Sequence, residues 1–108
     1  MAIESQPQGV VRVARSVLSA IVVNTALQIP GVVRMAPIGD TWGRWLNREG
    51  VILTIKENTV AADLYLVVQA GSNIVEIGTT VQDEVTSAIE EMIGMQVLDV
   101  NVYIQDVA

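Results

Sequence analysis

The sequence has 108 residues, of which 51% are hydrophobic and 17% charged, and this composition excludes a disordered chain and predicts one packed domain over residues 1–108. The absence of cysteine and histidine excludes disulfides, thiol nucleophiles and Cys/His metal cages, and removes the side chain most used for proton transfer. The net charge of -6 disfavours binding to nucleic acid or directly to an anionic bilayer.

The N-terminal part predicts a tail, a short strand and a helix. Residues 1–8 carry no base and no apolar core of a signal peptide, so we expect a flexible tail on a cytoplasmic protein. A β-type run at residues 9–13 precedes apolar side chains at helical spacing over residues 14–29. The pair Pro30-Gly31 ends this helix.

The uncharged stretch over residues 16–33 raises the question of a membrane span. Its internal amides and the Pro30-Gly31 pair favour a buried amphipathic helix followed by a strand at residues 32–36. Residues 38–50 then contain three glycines and form an irregular segment. These glycines are too widely spaced to cradle a phosphate.

The C-terminal half predicts a hairpin, a helix and a last strand. Residues 51–55 and 60–69 form antiparallel strands, joined by a connection in which Asn58 can adopt positive φ. Asn73 caps a helix that runs to Gly94. Its predicted apolar stripe comprises Ile74, Ile77, Val81, Val85, Ala88 and Met92.

The last strand, residues 97–107, alternates in polarity and therefore has one buried and one wet face. The buried set predicted from this pattern is Leu98, Val100, Val102 and Ile104. The element order β-α-β-β-β-α-β predicts an α+β, two-layer sandwich, in which one mixed sheet carries both helices on one face. The wet face of the sheet is predicted to expose Asp63, Tyr65, Gln69, Asn101 and Tyr103.

Tyrosine and amide side chains on a solvent-exposed sheet face exceed what solubility requires and indicate an interaction surface. Together with possible free strand edges, they predict a homo-oligomer built through the sheet, with Tyr65, Asn101 and Tyr103 in self-association. The acidic pairs at residues 83–84 and 90–91 are interpreted as a solvated helix face. The sequence therefore predicts no catalytic residue, no cofactor and no metal site.

Both tryptophans and two of the six basic residues lie within residues 42–48. One interpretation is that the rings cover one end of the aliphatic core. The other is a contact with a protein partner or the bilayer interface, where Trp and Arg are enriched. We adopt the second as the hypothesis for the partner-binding residues, namely Trp42, Arg44, Trp45 and Arg48.

From residue 73 onward the sequence resembles a known family. The motifs are Asn73-Ile74, Val81-Gln82-Asp83-Glu84-Val85, the helix end at residues 88–94 and the Val-Asn-Val strand within residues 97–105. The similarity extends upstream to Ile29-Pro30-Gly31-Val32. On these motifs the chain resembles the alkaline shock protein family of bacterial envelope stress response proteins.

This resemblance implies a non-enzymatic cytoplasmic protein that lies close to the membrane. It also implies a homo-oligomer, for which a filament is one arrangement. A small membrane-anchored protein would hold it there. Two alternatives from other classes remain at this point. One is a small-molecule-sensing regulatory module, because ligand-binding domains also use this arrangement of elements. The other is an RNA-binding domain with base-stacking tyrosines, which the excess of acidic residues disfavours.

Overall fold

The structure is a computed structural model that describes residues 12–38 and 49–108. The elements within these ranges are α1 (Arg15–Leu27), β1 (Val32–Met35), β2 (Val51–Lys56), β3 (Thr59–Val68), α2 (Ile74–Met92) and β4 (Gln96–Val107). They follow the predicted order. Most of the first predicted strand, residues 9–13, and the predicted tail lie outside the described residues; Arg12 and Val13 are exposed and not in a strand.

The sheet is organised around β3. Strand β4 pairs with β3 in parallel along its whole length. On the opposite edge of β3, β2 pairs with one half of the strand and β1 with the other, both antiparallel. The sheet is therefore mixed, as predicted, and the parallel pair β3 and β4 is connected through α2.

Strands β1 and β2 are two halves of one interrupted edge strand. The amide of Ala36 donates to the Tyr65 carbonyl at 2.8 Å, and the Tyr65 amide donates to the Gly50 carbonyl at 2.8 Å. Gly50 has φ +72, and a Cβ there would lie 2.7 Å from the Ala36 oxygen. Only glycine allows the two strand ends to approach so closely opposite one residue of β3.

Both helices lie on one face of the sheet, which confirms the two-layer α+β arrangement. Helix α1 contacts β1 and β2, whereas α2 contacts β4 and α1. The shared core is aliphatic, and its most enclosed side chains include Leu64, Leu66, Val81 and Val85, at 0% exposure. Val81 and Val85 were predicted to be buried, as was Val100, which is 9% exposed.

The caps of α2 agree with the sequence, but its buried stripe does not. The Asn73 side chain accepts from the Glu76 amide at 3.0 Å, and Gly94 follows the helix with φ 79. Met92 is 71% exposed and Ile74 43%, so their predicted core positions are wrong. The contact line instead follows the ridge of residues four apart, which continues to Ile89. The buried set is Ile77, Val81, Val85 and Ile89.

The inward position predicted for Leu98 is also wrong. Val97 lies opposite Val60 and Asp99 opposite Ala61, so β4 contains one extra residue here and forms a β-bulge. The bulge interrupts the alternation and leaves Leu98 56% exposed. Alternation resumes at Val100, which faces the helices, and continues to Ile104. A second extra residue, Gln105, then interrupts it, so that Asp106 lies opposite Val67.

The β2–β3 hairpin has a two-residue turn, Glu57-Asn58, between the paired Lys56 and Thr59. The residue with positive φ is Glu57, at 55, rather than Asn58 as predicted. Positive φ at the first central position alone is typical of a type II′ turn. Asn58 instead donates from its side chain towards the Gly94 carbonyl at 3.5 Å, at the end of α2.

Candidate interaction surface

The sheet face opposite the helices, here called the open face, carries two pairs of cross-strand contacts. Tyr65 on β3 is level with Tyr103 on β4, and their rings stack with centroids 4.8 Å apart and planes 17° from parallel. One row away, the Asn101 amide donates to Asp63 Oδ1 at 2.9 Å. The parallel register thus brings four predicted wet-face residues into one patch.

This patch is accessible. Tyr103 is 43% exposed, Asn101 is exposed, and Tyr65 and Asp63 are half-buried. A stacked tyrosine pair offers a flat apolar surface with phenol groups at its rim, a side-chain type enriched in protein interfaces. Gln69 follows the end of β3, and its backbone N–H donates to the Gly31 carbonyl. It is not part of the patch.

The charged residues of the sheet are sorted by strand. Strands β1 and β2 carry Arg34 and Lys56 and no acid, whereas β4 carries Asp99 and Asp106 and no base. Arg34 is level with Val67, and Val67 with Asp106, so one row crosses the sheet from a base to an acid. Sequence analysis did not identify this pattern. The charges of each strand are visible in the sequence, but their rows depend on the register.

At each edge of the sheet, a helix side chain donates a hydrogen bond to a backbone carbonyl of the edge strand. Arg15 on α1 donates from Nη1 to the Leu53 carbonyl of β2 at 2.5 Å. Gln82 on α2 donates from Nε2 to the Val100 carbonyl of β4 at 3.0 Å. Such contacts hinder the addition of a further strand. Each contact occupies one carbonyl of its edge strand, so edge pairing stays a prediction, and the open face offers a second surface for self-association.

A groove of about 360 Å³ lies between α1 and the edge of β2. Its polar lining includes Arg15, Ser19 and Glu49, and its apolar lining includes Val51 and Leu53. The Ser19 hydroxyl donates to Glu49 Oε1 at 3.2 Å. Within residues 12–38 and 49–108, no group of three or more Asp and Glu side chains is placed to hold a metal ion.

The four residues proposed for partner binding, Trp42, Arg44, Trp45 and Arg48, lie outside the described residues. The structure does define where this segment leaves the sheet and returns. Ala36 and Gly50 both pair with Tyr65, so the segment is attached at one point beside the open face.

The described helices include none that is long and apolar enough to cross a membrane. The uncharged stretch over residues 16–33 forms most of α1 and the first part of β1.

Comparison with protein-family models matches residues 3–108 to the alkaline shock protein 23 family, described by a cell envelope-related function. The chain belongs to this family. The resemblance noted in the sequence is thereby confirmed over almost the whole chain. The description of the alkaline shock protein 23 family concerns the cell envelope and names no reaction.

Bacterial relatives show the same extent of similarity. The chain is 29% identical to the uncharacterized protein Spy1614 of Streptococcus pyogenes serotype M6, over 92% of this chain and 88% of that protein. It is also 29% identical to the uncharacterized protein YloU of Bacillus subtilis strain 168, over 92% and 88% of the two chains.

Solved structures of MamM CTD are similar in fold to this member of the alkaline shock protein 23 family. The MamM CTD spanning residues 215-293 has a TM-score of 0.54 and 16% identity, over 86% of this chain and 99% of that one. The nickel form of a MamM CTD variant has a TM-score of 0.53 and 16% identity, over 84% and 96%. At such identity the similarity concerns the fold alone.

Proposed function

We propose that this protein is a non-enzymatic scaffold of the bacterial envelope stress response. It self-associates through the open face and docks, at the cytoplasmic face of the membrane, to a small membrane-anchored protein. The observation that carries the proposal is the exposed patch around the stacked Tyr65 and Tyr103, which no described helix covers. Membership of a family with a cell envelope-related function supports the location.

The chemistry of the chain supports a role without catalysis. Cysteine and histidine are absent from the whole sequence. The best-placed polar side chains of the open face, Asp63 and Asn101, bond to each other and lie on an open sheet surface rather than in a cleft. A catalytic site generally needs a concave pocket that excludes water around its reacting groups.

Replacement of both tyrosines with serine, Y65S/Y103S, is expected to lower the assembled mass of the protein. The variant loses the two rings that form the flat apolar part of the patch, while the core on the other sheet face is unchanged. Light scattering coupled to size exclusion, at tens of micromolar protein, measures the change.

The matched control is Y65F/Y103F, which keeps both rings and removes only the hydroxyl groups. We expect this control to assemble like the unaltered protein. A monomeric unaltered protein at the same concentration would contradict self-association. An unchanged assembled mass for Y65S/Y103S would show that the tyrosines take no part in self-association.

Trp45→Ala is expected to abolish capture of the membrane-anchored partner with little change in the melting midpoint. Trp and Arg commonly dominate the energy of protein interfaces, and the hypothesis assigns this role to the segment attached at Ala36 and Gly50. The measurement is a pull-down from solubilised native membranes with quantitative identification of the bound proteins.

The control for this experiment is Val75→Ala on α2, since Val75 is 78% exposed and should leave capture unchanged. If Trp45→Ala instead lowers the free energy of unfolding by about 3 to 5 kcal/mol, the ring belongs to the core and the docking role is wrong.

A second candidate function, small-molecule sensing, is favoured by the groove beside β2. Its volume of about 360 Å³ falls in the range of ligand sites, and Arg15 and Glu49 offer opposite charges at its wall. A metabolite bound there at a hundredfold excess over its Kd would stabilise the protein by about 2.7 kcal/mol. A thermal-shift panel separates the two functions, because a scaffold shows no such response.

A further inference from the structure

The arrangement of charge on the open face defines how two copies of it can meet. Among the described strands, the bases lie along the β1 and β2 edge and the acids along β4, with Asp63 between them on β3 bonded to Asn101. Arg34 and Asp106 occupy the two ends of one row, and the stacked tyrosines occupy the neighbouring row.

Two copies that pack open face to open face can be related by a two-fold axis along the strands or across them. An axis across the strands places β4 over β4 and opposes acids to acids. An axis along the strands places each row of one copy over the same row of the other and exchanges the two edges of the sheet. Strand β4 of one copy then lies over β1 and β2 of the other. The first axis also opposes bases to bases, whereas the second opposes like charges only at Asp63, which lies on the central strand over its own copy and is bonded to Asn101. Opposed like charges are strongly unfavourable at an interface, and their smaller number selects the second axis.

We propose that two copies pack open face to open face about a two-fold axis close to the strand direction, with Arg34 of each copy facing Asp106 of the other. This proposal rests on the self-association proposed above and specifies its geometry. Facing sheets pack about 10 Å apart, a gap that an arginine and an aspartate span from opposite sides. The tyrosine pairs of the two copies meet in the neighbouring row, beside these ion pairs.

A second pair of charges fits the same axis. Asp99 is level with Ala61 and Thr54, and Lys56 lies two residues further along β2 on the same face. After exchange of the edges, Lys56 of one copy is offset from Asp99 of the other by about 7 Å along the strand, within the length of a lysine side chain. Complementary charges thus lie at both ends of the proposed interface.

The chemistry also selects a second copy over other occupants. On the described strands of this face, a nucleic acid or an anionic membrane would meet three carboxylates, at Asp63, Asp99 and Asp106, against two bases. A second copy brings its base edge to the acid edge of the first and its acid edge to the base edge, so the same contact forms twice. This is the property that an isologous interface requires.

Charge reversal tests the geometry. In R34D and in D106R every contact between positions 34 and 106 joins like charges, and we expect each variant alone to associate at least about tenfold more weakly than the unaltered protein. An equimolar mixture of the two should associate again as mixed dimers, because one partner supplies carboxylates and the other guanidinium groups. The double variant R34D/D106R should also recover. Sedimentation velocity of differently labelled chains measures all four samples.

The matched controls are R12D and E91R, which make the same charge changes at exposed positions on the helix side, Arg12 beside Ile55 and Ile93 and Glu91 on α2. These should associate normally, alone and mixed. Weak association of R34D or D106R without recovery in the mixture would overturn the proposed axis, as would strengthened association of R34D. If Y65S/Y103S lowers the assembled mass but neither charge variant does, the geometry is wrong and the self-association stands. A monomeric unaltered protein would overturn both.

Discussion

Leu66→Ala should lower the free energy of unfolding by about 2 to 5 kcal/mol, the range measured for fully buried leucines. Leu66 lies near the C-terminal end of β3, the central strand of the sheet, with 0% exposure, and it faces the helices. Its removal leaves a cavity in a core rich in stiff β-branched side chains, which relax little. Chemical denaturation followed by far-UV circular dichroism gives the value.

Leu98→Ala is the matched control, because it is the same substitution on a strand of the same sheet. Leu98 is 56% exposed as a result of the bulge in β4, so we expect a change within about 0.5 kcal/mol. Similar losses for the two variants would contradict the register described for β3 and β4. The comparison therefore tests the position of the bulge as well as the core.

Gly50→Ala should be the other strongly destabilising change, by about 3 kcal/mol, from a left-handed backbone and the loss of one or two backbone hydrogen bonds. The new Cβ would lie 2.7 Å from the Ala36 oxygen and 2.9 Å from the Tyr65 oxygen. Both are backbone atoms held in the sheet, so the two strand ends must separate. Hydrogen exchange should then show faster exchange at the amides of Ala36 and Tyr65.

Gly71→Ala separates backbone strain from close approach. Gly71 has φ +85 but nothing within 4 Å of an added Cβ, so only the strain of positive φ remains. We expect a loss of about 1 kcal/mol there. Equal losses at the two glycines would show that the contact between the ends of β1 and β2 contributes nothing to stability.

Local patterns in the sequence were sufficient for the element order, the caps of α2 and the deepest part of the core. Asn73 and Gly94 mark the helix by side-chain and backbone chemistry that needs no tertiary information. Leu98 could not be placed correctly, because the bulge that exposes it is defined only by pairing with β3. The union of β1 and β2 into one edge also depends on a shared partner strand.

The candidate surface was predictable to a similar extent. Alternation along β3 and β4 identified Tyr65, Tyr103 and Asn101 as residues of one face, and the structure places them on it. That the two rings stack, and that Asp63 bonds to Asn101, follows from the parallel register and not from either strand alone. The row from Arg34 to Asp106 required both ladders of β3.

Because the edge strand is interrupted opposite Tyr65, the stability of the fold depends little on the length of the segment after β1. Ala36 and Gly50 are fixed side by side by the backbone of Tyr65, so the segment begins and ends at the same place whatever its length. Closing a longer loop between such fixed ends costs little, about 0.6 kcal/mol for each doubling. We therefore expect insertions between residues 39 and 48 to cost little in chain closure, and under the docking hypothesis this segment can acquire new binding sequences without a change in the strands at its two ends.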